Sequence, residues 1–153
     1  MAKLANFQIN QLSEMRIIGK AVYPNMDMKE NPIPVFWGKC FEDGTFTKLE
    51  ELKEYHIDSS YVGWMSDWKI GNGKFTYICG MIMKPNTPVP EGFIHRDVPA
   101  STVAIGWIQG LEKDIYSVSH ELTQKEMEKR GYKFDQKGSW CMELYNCPRF
   151  TMP

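Results

Sequence analysis

A chain of 153 residues, 42% apolar and 13% aromatic, is long enough for one domain that buries roughly 70% of its unfolded surface. Eighteen basic and 19 acidic residues, mixed along the chain, leave a net charge of −1 and no basic footprint for direct nucleic-acid binding. No stretch approaches the ~20 apolar residues of a membrane span, and the N-terminal MAKLANFQINQ lacks a signal-peptide run, so the reading is a cytoplasmic protein.

In chain order, Phe7-Gln8-Ile9 and Met15 to Val22 read as two strands separated by a polar step. Asn31-Pro32 opens a helix whose stripe runs through Ile33, Phe36, Trp37, Cys40 and Phe41 and closes at Asp43-Gly44. A second short helix is predicted over Thr47 to Tyr55. Tyr61 to Trp68 and Lys74 to Lys84 then form a hairpin turned at Gly71-Asn72-Gly73. The prolines of PNTPVPE, residues 85–91, make a stiff connector between two halves, 1–84 and 92–153. Beyond it Phe93 to Asp97 and Ser101 to Gln109 read as strands, Lys113 to Gly131 as a helix and Trp140 to Tyr145 as a strand. The order strand, strand, helix, strand, strand thus recurs, with Ile18-Gly19 falling on Ile105-Gly106. The last hairpin strand of the second copy is missing.

The four cysteines form no CxxC pair and have no His at ligand spacing, so they read as reduced thiols. His56, His95 and His120 lie in separate elements. No metal and no cofactor is implied. Five Trp, seven Tyr, eight Phe and ten Met exceed what a core of this size uses, and part of that surface is available to line a pocket.

The strongest local signal is GSWCMELYNCPRF. Alternation places Cys141, Glu143 and Tyr145 on one face of a strand and Trp140, Met142 and Leu144 on the other. The second set suits a buried core, which leaves Glu143 on the other face, where desolvation by apolar neighbours raises its pKa and fits it to accept a proton or pair a cation. The bland alternative is an edge-strand glutamate bridged to Lys or Arg in solvent. Phe36, Trp37, Tyr61, Trp64, Trp68, Tyr77 and Trp107 are candidate pocket walls, with core packing the alternative for each. Phe36 and Trp37 lie about 100° apart on their helix, so one of them sits at its border. Cys141 shares the Glu143 face but has no basic neighbour in sequence, and reads as a small wall residue and not a nucleophile.

The tandem order, the helix starting NPIPVFWGKCF, the YVGWMSDW to KFTYICGMIM hairpin, and EGF…VPASTVAIGWIQG followed by a helix and WCMELYNCPRF together resemble the GyrI-like effector-binding domains. The resemblance covers nearly the whole chain and departs from the family at the missing last strand. It implies an α+β fold of two pseudo-symmetric units, forming one curved antiparallel sheet with helices on one face and a ligand groove on the other. It also implies that Glu143, at the position of the family's drug-recognising glutamate, meets hydrophobic planar or cationic molecules within aromatic walls. Some stand-alone members of that family hydrolyse cyclopropane-bearing natural products. On that pattern Glu143 would be the general base and Tyr145 or Tyr77 the proton donor, with Phe36, Trp37, Tyr61, Trp64, Tyr77, Trp107 and Cys141 as ligand contacts. The alternative is a non-catalytic binding module that acts with a transcription regulator or on gyrase.

Overall fold

The computed structural model describes residues 1–25, 31–71, 73–133 and 139–145. Their elements run β1 (Lys3–Leu12), β2 (Met15–Val22), α1 (Ile33–Glu42), α2 (Thr45–Glu50), a single 3-10 turn (Lys53–Tyr55), β3 (His56–Gly71), β4 (Lys74–Met83), β5 (Ile94–Val98), β6 (Ser101–Gln109), α3 (Glu112–Lys129) and β7 (Cys141–Tyr145). The α+β class and the repeated element order are those the sequence predicts. The ladders are divided between two antiparallel sheets, ordered β1-β6 and β5-β2-β4-β3-β7, where the sequence predicts a single one. Each pairing β1·β6, β2·β5 and β3·β7 joins strands from opposite sides of the proline connector, so the sequence halves exchange strands. Asn72, Cys147 and the region on which the expectation about the last hairpin strand falls lie outside the described residues.

Contacts group the chain into two units, residues 1–13 with 100–138 and residues 14–99 with 139–153. In the first, α3 packs on the β1·β6 pair. Gly106 permits a close approach there, since a Cβ on it would lie 2.2 Å from Thr123 Oγ1 and 3.1 Å from Leu4 Cδ1. Glu112 and Asp114 in the first turn of α3 complement its macrodipole, and the Arg130 guanidinium lies 4.7 Å from the Phe7 ring.

The second unit carries the five-stranded sheet with α1 and α2. Pro32 presets the backbone at the start of α1, and Gly44, at φ +80°, turns the chain into α2. α2 begins two residues before the sequence-predicted start because the Asp43 carboxylate accepts from the Thr45 N–H at 3.0 Å; the turn Lys53–Tyr55 then takes up the remainder of that predicted helix. The strand predicted from Tyr61 extends back to His56 and on to Gly71, with register shifts between His56 and Tyr61 and between Ser66 and Gly71. At the second shift Asp67 takes φ +59°, and its carboxylate accepts from Thr76 Oγ1 at 2.7 Å and Arg96 Nη2 at 2.8 Å, tying β3 to β4 and β5. Beyond β4, Arg16 Nη1 donates to the Thr87 carbonyl at 2.8 Å and anchors the connector.

The core of this unit joins Ile18, Tyr77, Cys79, Met81 and Met83 from the sheet to Cys40, Phe46 and Leu49 from the helices. This reverses one expectation. Alternation does put Cys141, Glu143 and Tyr145 on a common face, and cross-strand register continues that face through Met65, Gly63 and Tyr61 to Tyr77, Cys79 and Met81. It is this face, and not that of Trp140, Met142 and Leu144, that α1 and α2 cover. The physical reason is that β4 is buried along both faces, so its sequence carried no information on which face the helices take.

Candidate functional site

Glu143 is half-buried on β7, directly opposite Gly63 of β3. The missing side chain at Gly63 shapes the site. A Cβ there would stand 2.1 Å from the Tyr77 hydroxyl and 3.1 Å from Glu143 Oε1, so glycine opens the space through which a phenol on β4 reaches across β3 to a carboxylate on β7. Tyr77 OH donates to Glu143 Oε1 at 3.2 Å and accepts from Trp37 Nε1 at 2.8 Å. One indole, one phenol and one carboxylate thus form a directed chain from α1 to the edge of the sheet.

Burial and then the nearby Glu143 charge push the Tyr77 phenol far above the ordinary tyrosine range, so it stays protonated and serves as a donor. Burial and the same carboxylate push Cys141 up to about 11. It therefore remains a thiol at neutral pH, which suits a wall residue and not a nucleophile. The hydrogen bond with Cys40, followed by burial, raises Cys79 as well.

Around this polar chain stands an aromatic wall. Trp37 stacks on Phe46 with centroids 5.5 Å apart and planes at 9°, and meets Tyr145 edge-on at 5.4 Å and 85°. Phe46 lies 4.4 Å from Tyr61, and Phe41 lies 4.9 Å from Phe46 and 5.8 Å from Tyr61. Phe46 is buried, whereas Phe41 is 54% exposed, so the wall runs from the core to the surface. Tyr61 donates to Glu50 Oε1 of α2. That hydrogen bond, then burial, pushes the Tyr61 phenol up to about 12.

Of the residues singled out from sequence, the fold therefore brings together Glu143, Tyr145, Tyr77, Trp37, Tyr61 and Cys141. The neighbours Phe36 and Trp37 part as helix geometry requires. Trp37 turns to Tyr77, while Phe36 lines an open hollow of about 510 Å³ with Val22, Tyr23, Pro24, Val35 and Lys39. Trp64 does not join the Glu143 group. It sits on the opposite face of β3, 3% exposed, stacked on Trp140 at 4.8 Å with its indole N–H bonded to Ser66 Oγ at 2.9 Å. Trp107 lies in β6 of the other unit, paired with Asn6. Trp68 stacks on Phe75 at 5.0 Å. Sequence reasoning overlooked Phe41, Phe46 and Glu50 as parts of the wall. Phe41 is four residues from Trp37 on α1, and that spacing was the available signal; for Phe46 and Glu50 there was none, since α2 is too short for a periodic pattern.

His56 Nε2 lies 2.9 Å from the Leu49 carbonyl oxygen, and His95 lies 3.7 Å from Asp97. Among the described residues no three His, Cys, Asp or Glu side chains converge as a metal site. No helix among them is long and apolar enough to cross a membrane.

The profile of the GyrI-like small molecule binding domain matches residues 5–149. The chain belongs to the GyrI-like family. Its fold is shared by solved structures at low sequence identity. SAV2435, solved bound to tetraphenylphosphonium, superposes with a TM-score of 0.67 at 16% identity, over 92% of this chain and 82% of that one. A putative transcription regulation protein from Staphylococcus aureus MU50 gives 0.63 at 15%, over 92% and 86%. An integron cassette protein from the mobile metagenome of Vibrio cholerae gives 0.56 at 14%, over 95% and 91%. No curated protein matches the sequence. The chain is thus a GyrI-like small-molecule binding domain, whose Glu143 group is the candidate ligand site.

Proposed function

We propose that this GyrI-like domain binds planar or cationic hydrophobic molecules against the Trp37, Tyr61 and Tyr145 wall, with Glu143 as the counter-charge. The observation that carries the reading is the Trp37 to Tyr77 to Glu143 hydrogen-bond chain, which holds a half-buried carboxylate beside aromatic faces. Each ring face adds about 0.5–2 kcal/mol to a desolvated cation, and a carboxylate at the same place adds direct charge pairing. The tetraphenylphosphonium bound to SAV2435 is a ligand of this chemistry.

Titrating tetraphenylphosphonium against tryptophan fluorescence, with neutral triphenylphosphine oxide alongside, tests the reading. Saturable quenching that favours the cation by about tenfold, and loss of that preference in Glu143→Gln, is the expected outcome. Absence of saturable quenching, or a Gln variant that keeps the preference, overturns it.

A second reading, hydrolysis of electrophilic cyclopropanes, is favoured by the pairing of carboxylate and phenols in one group. Glu143 would take a proton from water as the water oxygen bonds to the strained carbon. The ring C–C bond breaks, and its electron pair passes through the conjugated enone to the oxygen, which takes a proton from Tyr145. Proton return from Glu143 to Tyr145 through solvent closes the cycle, for net addition of one water. Loss of enone absorbance beyond one equivalent per protein supports this reading; a change limited to one equivalent rejects it in favour of binding.

A further inference from the structure

The aromatic wall has a second acidic end. Tyr61 and Gly63 are two residues apart on one face of β3, about 7 Å along the strand, and face Tyr145 and Glu143 respectively across the ladder with β7. While the Gly63 end leads to Glu143, the Tyr61 end leads to Glu50, which accepts the Tyr61 hydroxyl. Trp37 is linked to Glu143 through Tyr77, Tyr61 is bonded to Glu50, and the buried Phe46 ring packs against both Trp37 and Tyr61, at centroid distances of 5.5 and 4.4 Å. At each end a carboxylate accepts from a protonated tyrosine, the buried Tyr77 at one end and the wall residue Tyr61 at the other.

Helix stability does not account for Glu50. It is the last residue of α2, the end at which the helix dipole disfavours negative charge, and it is exposed. The exposed Phe41 ring packs beside Tyr61 and extends the apolar surface toward that end.

From this arrangement we infer that the site is selective for dications, with Glu143 pairing one positive group, Glu50 the other, and the Trp37, Tyr145 and Tyr61 rings carrying an aromatic or alkyl spacer. The inference rests on the reading of Glu143 as a cation site. Tyr61 is then a positioning residue, because its hydroxyl fixes the Glu50 carboxylate against the wall. Glu50 is solvent-exposed, so its share is modest, and rising ionic strength weakens it.

The probes are pentamidine, a bis-benzamidine, and its mono-amidine analogue with the second amidine replaced by a nitrile, which keeps length and apolar surface. Both are titrated against the full chain and against Glu50→Gln, Tyr61→Phe and Glu143→Gln, with the fold of each variant checked by circular dichroism. Pentamidine is expected to bind the unaltered chain about fivefold more tightly than the mono-amidine. In Glu50→Gln that ratio falls to about one, and in Tyr61→Phe it falls part-way. A ratio near one in the unaltered chain, or a ratio unchanged in Glu50→Gln, overturns dication selectivity while Glu143→Gln still weakens both ligands. If Glu143→Gln weakens neither, the cation site itself is misplaced, and the inference falls with it.

Discussion

The two faces of β3 carry similar aromatic wealth and put it to different uses. On one face Trp64 stacks on Trp140 and bonds its indole N–H to Ser66, its neighbour two residues along the same strand. Its polar atom is satisfied locally, and the ring is almost wholly buried. On the other face Trp37 donates its N–H to the Tyr77 hydroxyl and Tyr77 donates its O–H to Glu143, so the polar chain ends on a carboxylate at the sheet edge. Aromatic content alone therefore does not tell the two faces apart. The distinguishing feature is a polar chain that leads out of the core to a charge, made possible by an adjacent position that has no side chain.

The sharpest way to break this contrast is to fill Gly63. In Gly63→Ala the new methyl collides with the Tyr77 hydroxyl and crowds Glu143, so either the phenol or the strand must move. A loss of about 2–4 kcal/mol of stability is expected in denaturant unfolding. Ligand binding should fall with it at temperatures where the variant is still folded.

The opposite face supplies the converse. Trp64→Ala removes a buried indole and should cost about 3–5 kcal/mol, yet the folded protein should keep its cation preference in the fluorescence titration. A variant that loses the preference while folded would mean that the two faces are not independent.

A smaller effect is expected for Tyr77→Phe. This change leaves the Trp37 N–H without its acceptor and removes a donor from Glu143, at about 1–3 kcal/mol. The ring and its packing remain, so binding should weaken through the poorer placement of Glu143. Isothermal titration of tetraphenylphosphonium measures that loss directly.

The smallest expected effect lies away from both faces. Burial acts to raise the Asp67 pKa, but hydrogen bonds from Thr76 and Arg96 outweigh it and hold the carboxylate below its ordinary range. A depressed folded-state pKa contributes stability above the unfolded value, about pH 4, and the contribution is lost as pH falls through the folded value. Asp67→Asn should therefore be less stable than the unaltered chain at pH 7, with the gap closing below about pH 4 in urea unfolding. A gap that persists undiminished at low pH would assign the loss to the hydrogen-bond geometry with Thr76 and Arg96 and not to the charge, since asparagine tolerates the positive φ at this position as readily as aspartate.

Local periodicity in the sequence determined the strands around Met15, Lys74, Ser101 and Cys141, the helices after Pro32 and before Gly131, and the common face of Cys141, Glu143 and Tyr145, because a strand alternates with period two and a helix returns every 3.6 residues. The same local rule parted Phe36 from Trp37. Tertiary structure alone decided which face of the sheet receives α1 and α2, since β4 is apolar on both sides and alternation names faces without saying what covers them. It also decided the pairing of β1 with β6 and of β3 with β7, partners set by contacts between residues far apart in the chain. Glu143 was legible as an anomaly in an apolar strand. The hydrogen bond that Tyr77 makes to it, the empty position at Gly63 that lets the phenol through, and the second carboxylate at Glu50 were not, because no local pattern records the distance between residues on different strands.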